Sequence, residues 1–324
     1  MLTRTHFVKF VERARQLPAL PTAFVYPCDA ESLQLAVSGA FTGMIAPQLV
    51  GPEAKIRDIA GKAAIDIARL PIVDTAAEPR AAAAAAAELA ASGRVRAWVR
   101  GALGIDDLLA PINASDSPLR GTRRLSHAYF VDLAGWTRGL VLADAQLNIT
   151  PALAAKRDIV DNTIAFAHVL GIATPRVALL AATDAVSAAL PSTGDAAALK
   201  ALGEQGIFAD AYVDGPLTID TALSGEAAAT SGHRSDVAGR ADVLIAPSME
   251  AGALVLRTLT GLTSSLAAGV VLGARVPIVA PMKRDSMEVR MASCVLASLV
   301  AGAGPKSAER AAAAPSPALA EAAS

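Results

Sequence analysis

The sequence has few aromatic residues, only two cysteines and almost no net charge. Aromatic side chains make up 4% of the 324 residues, and 29 Lys and Arg stand against 30 Asp and Glu. With no basic band to gather nucleic-acid phosphates, nucleic acid is not an expected partner. Cys28 and Cys294 lie far apart, with no CxxC motif and no pair of histidines nearby. This spacing argues against a disulfide scaffold and a zinc site, so we expect both cysteines to be core residues.

The sequence also has no long hydrophobic run, although 53% of its residues are apolar. The best candidates, residues 177–182 and 270–280, are short or interrupted by Gly273, Arg275 and Pro277. A membrane-spanning helix needs roughly 20 apolar residues. The first residues also lack the apolar segment and cleavage site of a signal peptide. We therefore expect no membrane segment and a cytoplasmic protein.

Several common site signatures are absent. The sequence contains no GxGxxG after an early strand, no GxxxxGK[ST], no HExxH and no GxSxG. These absences disfavour a Rossmann dehydrogenase, a P-loop enzyme, a zinc protease and a serine hydrolase. None of the four histidines lies at metal-ligand spacing from another, so we expect no metal site.

Short apolar runs alternate with alanine-rich segments of helical character, which indicates an α/β protein with a largely parallel sheet. Residues 53–68 and 158–170 have apolar side chains at helical spacing, and 81–89 is a strong helix former. The predicted strands are 23–26, 44–50, 97–99, 128–133, 140–143, 177–181, 211–213, 243–246 and 276–279. The length suits two domains of roughly 150 residues. Residues 301–324, rich in Ala, Pro and Ser, predict a mobile low-complexity tail.

Two candidate binding stretches flank predicted strands. Asp214 and Gly215 follow the apolar run that ends at Val213. The carboxyl ends of strands face the ligand crevice in open α/β sheets, so this motif is either a binding loop or a plain turn. Asp242 precedes the strand at 243–246 and ends a stretch of small residues that would let the backbone approach a ligand.

Two further stretches follow strands and enter helices. Glu250 and Gly252 begin a helix, whose free N–H groups and partial positive charge suit a phosphate. The last predicted strand leads into Lys283, Arg284, Asp285 and Ser286, followed by Glu288. Two cations beside a carboxylate and a hydroxyl indicate an anion site with a general base. The alternative is that Asp285 or Ser286 caps the last helix, with Glu288 in its first turn.

At these residues the sequence resembles the phosphate acetyltransferase and phosphate butyryltransferase family. The nearest likeness is to the acyltransferase half of the bifunctional enoyl-CoA hydratase/phosphate acetyltransferases. The matching segments are Leu119-Arg120, Arg124-Leu125-Ser126-His127, Asp144-Ala145-Gln146-Leu147-Asn148-Ile149, Asp214-Gly215-Pro216-Leu217 with Asp220, Val237-Ala238-Gly239, Ala241-Asp242-Val243-Leu244, Glu250-Ala251-Gly252 and the run from Ala268 to Val279. They span roughly residues 8 to 300 in order, and together they are specific for the family.

The resemblance implies reversible transfer of a short acyl group between coenzyme A and inorganic phosphate. It also implies a fold of two three-layer α/β/α domains with mainly parallel sheets and the active-site cleft between them. We place the first domain at residues 1–133 plus 272–300 and the inserted second domain at 134–271. The expected substrates are acyl-CoA or CoA and phosphate, the expected assembly is a homodimer, and no cofactor or metal is expected.

The resemblance also suggests roles for the candidate residues. Asp285 or Glu288 would take the proton of the CoA thiol, and Ser286 or a backbone N–H would stabilise the carbonyl oxygen. Lys283 and Arg284 would hold phosphate. The remaining substrate-binding candidates are Asp214, Gly215, Asp242, Glu250 and Gly252.

The loop after the last strand departs from the family pattern Thr-Ser-Arg-Ala-Asp-Ser, because Met282 and Lys283 replace Ser and Arg. Methionine cannot donate a hydrogen bond, and losing one oxyanion donor costs on the order of 100-fold to 1,000-fold in rate. The alternative hypothesis is therefore a divergent, slow or non-catalytic paralogue that binds CoA or acyl phosphate.

A third hypothesis, a metal- and nicotinamide-dependent decarboxylating dehydrogenase, rests on fold analogy alone and needs converging carboxylates. The acyl chain length stays open among acetyl, propionyl and butyryl.

Overall fold

The computed structural model describes residues 5–304, which form helices and strands in alternation along the chain. The helices are α1 (Thr5–Arg15), α2 (Ala30–Phe41), α3 (Glu53–Lys62), α4 (Pro79–Ala91), α5 (Ile105–Asn113), α6 (Leu153–Leu170), α7 (Pro191–Glu204), α8 (Ile219–Leu223), α9 (Gly225–Thr230), α10 (Met249–Leu262) and α11 (Met287–Gly302). The strands are β1 (Leu20–Val25), β2 (Ile45–Val50), β3 (Ile72–Val73), β4 (Ala97–Arg100), β5 (Ser126–Asp132), β6 (Leu140–Ala143), β7 (Arg176–Leu180), β8 (Tyr212–Leu217), β9 (Val243–Ile245), β10 (Leu266–Leu272) and β11 (Ile278–Val279).

The strands form one sheet in the order β3-β2-β1-β4-β11-β10-β5-β6-β9-β7-β8. All neighbours are parallel except β11–β10, β10–β5 and β5–β6. The three antiparallel pairings in succession mean that the parallel strands on the two sides of β10 and β5 run in opposite directions. The predicted α/β class with a mostly parallel sheet is confirmed.

The proposed domain boundaries fall directly after β5 and at the end of β10. These strands join the two parallel parts of the sheet, and the division into two domains there stays a prediction. Helix α11 continues to Gly302, beyond the predicted end of the last folded segment at residue 300. The rest of the predicted tail, residues 305–324, lies outside the described residues.

Helices cover both faces of the sheet. Phe7 of α1, Leu33 of α2, Ile159 of α6 and Leu296 of α11 belong to one large buried cluster. The opposite face is covered in two places: Ala82 of α4 and its neighbours pack in one cluster, and Leu256 of α10 and Ala222 of α8 pack in another. This is the three-layer arrangement, since each strand buries side chains on both of its faces.

All nine predicted strands are present, and two more were missed. Strand β10 has the sequence LAAGVVL and every residue is buried. A short apolar run buried on both sides shows no alternation, so its period does not separate strand from helix. Strand β3 has only two residues and lies at the edge of the sheet.

The predicted turn at Asp214 and Gly215 is wrong, because strand β8 continues through both residues to Leu217. Glycine and proline in succession are typical of a turn. Here Pro216 lies in the edge strand of the sheet, where a missing backbone N–H leaves no ladder partner unsatisfied.

Of the two cysteines, Cys294 is buried as predicted, whereas Cys28 is only half-buried and packs against the core from its margin. Neither forms a disulfide. Among residues 5–304, no helix is long and apolar enough to cross a membrane.

Helix α10 packs closely on the end of β6 because residue 252 is glycine. A Cβ atom at Gly252 would lie 2.5 Å from the carbonyl oxygen of Asp144 and 3.1 Å from the Cβ of Ala246. Since the nearest atom belongs to the backbone, it cannot rotate away. Gly252 therefore sets the distance between α10 and the strand end.

We predict that Gly252→Ala lowers the free energy of unfolding by about 2 kcal/mol, as overpacking does. Gly261→Ala is the matched control, because it lies in the same helix with no atom within 4 Å of an added Cβ. The control should leave stability unchanged or raise it by up to about 1 kcal/mol. Urea unfolding measures both, and equal stability of the two variants would contradict this account of the packing.

Candidate active site

The loop after β11 is closed by hydrogen bonds within itself. The backbone N–H of Met282 donates to Oδ2 of Asp285 at 2.8 Å, and the N–H of Asp285 donates to the Met282 carbonyl at 3.0 Å. Buried Arg290 ties the loop to α11 by donating to the carbonyls of Asp285 (3.0 Å) and Met282 (3.1 Å). The Asp285 carboxylate is therefore held in one place.

Ser286 is the N-cap of α11, and its Oγ accepts from the N–H of Val289 at 3.3 Å. Glu288 lies in the first turn of that helix, where a carboxylate is favoured by the helix dipole. The capping alternative is thus confirmed for Ser286 and not for Asp285. A hydroxyl that accepts at a cap still carries its own proton, so Ser286 can also donate to a ligand.

A cavity of about 190 Å³ opens beside this loop. It is lined by the loop and the start of α11, by one face of α10, and by β5 and β10, the strands that join the two parallel parts of the sheet. The lining residues are Tyr129, Leu256, Arg257, Thr260, Ser265, Ala267, Arg284, Asp285, Ser286 and Val289. The structure therefore brings three of the predicted site residues together.

Tyr129 forms part of the inner wall of this cavity. Its hydroxyl donates to Oε1 of Gln146 at 2.7 Å, and Nε2 of Gln146 donates to the Ala280 carbonyl at 3.2 Å. Burial, together with the negative charge of Asp285, raises the pKa of the Tyr129 phenol well above its usual range. Tyr129 is therefore neutral. Gln146 connects the loop after β6 to Tyr129 and to the end of β11.

Asp144, at the end of β6, organises the surrounding backbone. Its Oδ1 accepts from the N–H groups of Gln146 (2.9 Å) and Leu147 (3.0 Å). Its Oδ2 accepts from the N–H of His127 (3.1 Å) and from Nδ2 of Asn148 (2.6 Å). The carboxylate is 2% exposed. Four donors make a buried charge acceptable, and they join β5 to the loop after β6.

His127 lies behind the cavity, next to Tyr129, with a distance of 4.3 Å between the ring centroids. Burial lowers the pKa of its imidazole to about 4, although Asp144 acts in the opposite direction. Nδ1 has no hydrogen-bond partner in the part of the chain that the structure describes. His127 is therefore a neutral buried group and not the surface or satisfied residue that a lone histidine usually is.

Cationic side chains surround the loop. Arg100 donates to the Pro281 carbonyl, and Arg257 on α10 reaches the sulfur of Met282. Burial, reinforced by the nearby charge of Arg290, lowers the pKa of Arg100. Arg284 and Lys283 are exposed beside the cavity, although Lys283 is not among its lining residues. This concentration of positive charge favours an anionic ligand.

Asp214 and Gly215 lie elsewhere. Five strands separate β8 from β11, which is on the order of 30 Å across the sheet at about 4.8 Å per strand. The Asp214 carboxylate is buried and pairs with Lys200 (2.7 Å) and His233 (2.9 Å). Burial opposes its ionisation, but hydrogen bonds from Lys200, Ser235 and His233 prevail and lower its pKa.

The other three predicted binding residues do not line this cavity. Asp242 accepts from the backbone N–H (3.1 Å) and Nη1 (3.3 Å) of Arg176, and it lines a different cavity. Glu250 is exposed in the first turn of α10, and Gly252 serves close packing, as described above. Within residues 5–304, no group of three or more His, Cys, Asp or Glu side chains is placed to hold a metal ion.

Comparisons with known proteins identify the family of this chain. Residues 72–297 match the family model described as "Phosphate acetyl/butaryl transferase". The phosphate acetyltransferase of Rhizobium meliloti is 43% identical over 293 residues, covering 90% of this chain and 92% of the relative. The phosphate butyryltransferase of Clostridium beijerinckii is 31% identical, covering 91% of this chain and 98% of the relative.

A branched-chain phosphotransacylase from Enterococcus faecalis V583 has a similar crystal structure, with a TM-score of 0.75 and 25% identity. The similarity covers 87% of this chain and 99% of that one. The fold and the homologues thus define an acyltransferase of the α/β class. The chain belongs to the phosphate acetyltransferase and phosphate butyryltransferase family, as the resemblance in its sequence predicted.

Sequence reasoning missed Tyr129, Arg257 and Gln146 as neighbours of the loop. A signal existed for Arg257, because it follows Glu250 by seven residues, or two helical turns, in a helix that was correctly predicted. No comparable signal marks Tyr129, whose place in the cavity depends on pairing between strands that are distant in sequence.

We predict that Asp144→Asn destabilises the protein by about 3 kcal/mol. The Nδ2 group of asparagine cannot accept a hydrogen bond, so the donors that now bind one carboxylate oxygen would be left unsatisfied. Asp236→Asn is the control, since that carboxylate is 64% exposed and pairs with Arg240, four residues further along the chain. Thermal unfolding of both variants measures the difference. A loss below about 1 kcal/mol for Asp144→Asn would show that the four hydrogen bonds do not organise this region.

Proposed function

We propose that this protein is a phosphate acyltransferase that moves a short acyl group between coenzyme A and inorganic phosphate. Family membership and the convergence of Asp285, Ser286, Arg257 and Arg284 around one cavity support the proposal. We further propose, on the family resemblance alone, that it is a cytoplasmic homodimer. Acyl transfer changes no oxidation state, so we propose no redox cofactor. We also propose no metal ion.

In the direction of acyl-CoA synthesis, Asp285 takes the proton of the CoA thiol. One of its oxygens accepts from Met282, and the other has no hydrogen-bond partner in the described structure. The thiolate attacks the carbonyl carbon of the acyl phosphate and forms a C–S bond. The C–O bond to phosphate then breaks, and inorganic phosphate leaves with the electron pair. Glu288, one turn along α11, is the alternative base.

The leaving phosphate needs positive charge near the cavity. Arg257 and Arg284 line it from opposite elements, α10 and the loop, and Lys283 is adjacent. Arg100 and Arg290 already donate to backbone carbonyls, so we assign them to holding the loop in place. A guanidinium offers two parallel donors to a phosphate, which compensates for lysine at position 283.

The carbonyl oxygen gains negative charge as the thiolate attacks, and it needs a donor that Met282 cannot provide. The Ser286 hydroxyl lines the cavity and keeps its own proton available while it caps α11. We assign the oxyanion donor to Ser286. The same side chain then positions the helix and stabilises the transition state.

The function is tested by release of free thiol from acetyl-CoA, propionyl-CoA and butyryl-CoA, with and without phosphate. We expect thiol release that depends on phosphate, and the acyl chain with the highest kcat/KM identifies the preferred substrate. If CoA raises the melting temperature but no acyl-CoA is turned over, the protein is the non-catalytic paralogue and the proposal fails.

We predict that Ser286→Ala lowers kcat about 100-fold, which is typical of losing one oxyanion donor, and lowers stability by about 1 kcal/mol. Ser286→Asn keeps a good N-cap and supplies an amide donor, so it should keep most of the stability and recover part of the activity. Steady-state kinetics and thermal unfolding of both variants separate the two roles. Wild-type kcat in Ser286→Ala would remove this hydroxyl from the mechanism.

A further inference from the structure

A second and larger cavity lies on the other face of the sheet. Its volume is about 440 Å³, within the range of about 300–1,000 Å³ that small-ligand sites occupy. Phe130 lies in its wall, while its neighbour in β5, Tyr129, lines the smaller cavity. Successive side chains of a strand point to opposite faces, so the two cavities are separated by the sheet.

This cavity is formed where α1 crosses the end of α6 and the strand ends of β5 and β9. His6, Lys9 and Arg13 of α1 face Arg138, which precedes β6, and Asp242, which precedes β9. Asp242 is one of the predicted binding residues that do not line the acyl-transfer cavity. Because Asp242 lines this cavity, the cavity is a second candidate binding site.

The carboxylates near the cavity are already paired. Asp242 accepts twice from Arg176, and Asp132 accepts from the backbone N–H (3.2 Å) and Nδ1 (3.1 Å) of His6 and from the N–H of Phe7 (3.4 Å). They therefore do not neutralise the remaining cations.

The cations keep donors that no protein group uses. Arg13 gives one hydrogen bond from each Nη, to the carbonyls of Leu170 (3.1 Å) and Val169 (2.6 Å). Arg138 gives a single one, to the Arg240 carbonyl at 2.8 Å. Within residues 5–304, the amino group of Lys9 has no hydrogen bond or ion pair. A guanidinium carries five N–H donors, so Arg13 and Arg138 each keep donors that these bonds do not use.

The inner surface of the cavity is apolar and aromatic. Phe10 and Phe130 are both buried, and their rings meet edge to face with centroids 4.9 Å apart. Leu170 and Ile172 complete this surface. Cations at the rim and aromatic rings at the base would recognise a molecule with a negative head group and an apolar body.

We propose that this cavity binds a small organic anion, with its head group between Lys9 and Arg138 and its apolar body against Phe10 and Phe130. The site is separate from the acyl-transfer cavity, and variants of each cavity distinguish binding at the one from binding at the other. Trp136 lies 5.8 Å from the Arg138 guanidinium, at the same rim, and it reports on binding there.

The test is calorimetric titration with phenyl phosphate, compared with inorganic phosphate and with benzyl alcohol. We expect saturable binding of phenyl phosphate with a dissociation constant at least about tenfold lower than that of either part alone, which corresponds to about 1.4 kcal/mol. Equal affinity for inorganic phosphate would show that the aromatic surface contributes nothing, and the proposal would fail.

Variants locate the ligand. Lys9→Gln should weaken binding about tenfold, because it removes a charged donor to the head group. Arg15→Gln, an exposed residue of the same helix outside the cavity, should bind as the wild type does. The double variant Lys283→Gln, Arg284→Gln should also bind normally. If it loses binding while Lys9→Gln keeps it, phenyl phosphate occupies the acyl-transfer cavity and the proposal is wrong.

Tryptophan fluorescence provides an independent readout, since Trp98 and Trp136 are the two tryptophans of the chain. Phenyl phosphate should change the emission of the wild type but not that of Trp136→Phe. A change that persists in Trp136→Phe would arise from Trp98, which lies in β4, and would contradict the assigned position.

Discussion

One buried carboxylate, Asp144, holds together the region where the two oppositely directed parts of the sheet meet. It accepts four hydrogen bonds from β5 and from the loop after β6, and its backbone carbonyl lies against α10 at Gly252. The loop that it shapes carries Gln146, which reaches both Tyr129 and the end of β11. The walls of the candidate active site therefore depend on one buried carboxylate and the four donors that bind it.

The loop after β11 has Met282 and Lys283 where the family pattern has Ser and Arg. It is still compatible with acyl transfer, because other residues at the cavity can supply the missing hydrogen-bond donors. Methionine in place of serine removes a donor, but Ser286 keeps a hydroxyl proton at the same cavity while it caps α11. Lysine in place of arginine removes a planar donor, but α10 places the Arg257 guanidinium over the loop. In the proposed function, the charge that binds phosphate thus comes from two elements rather than from one loop.

The sequence predicted the α/β class, all nine of the strands proposed and the helix that begins after Ser286, because these depend on local periodicity and capping. Strand β10 was missed, since a run of small apolar residues buried on both faces has no alternation to reveal it. The candidate site was predicted in part. Asp285, Ser286 and Arg284 are adjacent in sequence and meet at one cavity, whereas Tyr129 and Arg257 reach it only through strand pairing and helix packing. The turn predicted at Asp214 is wrong, because Gly-Pro in an edge strand has the same local sequence pattern as Gly-Pro in a turn.

Thiol release alone does not separate transfer to phosphate from hydrolysis of the thioester, so the central claim is tested most directly by identifying the phosphorus-containing product. Phosphorus NMR of the protein with acetyl-CoA or butyryl-CoA and inorganic phosphate would follow the phosphate itself. The account predicts an acyl phosphate resonance that grows as inorganic phosphate declines, with one free CoA formed per acyl phosphate. Free CoA and free carboxylic acid, with the inorganic phosphate resonance unchanged, would contradict it.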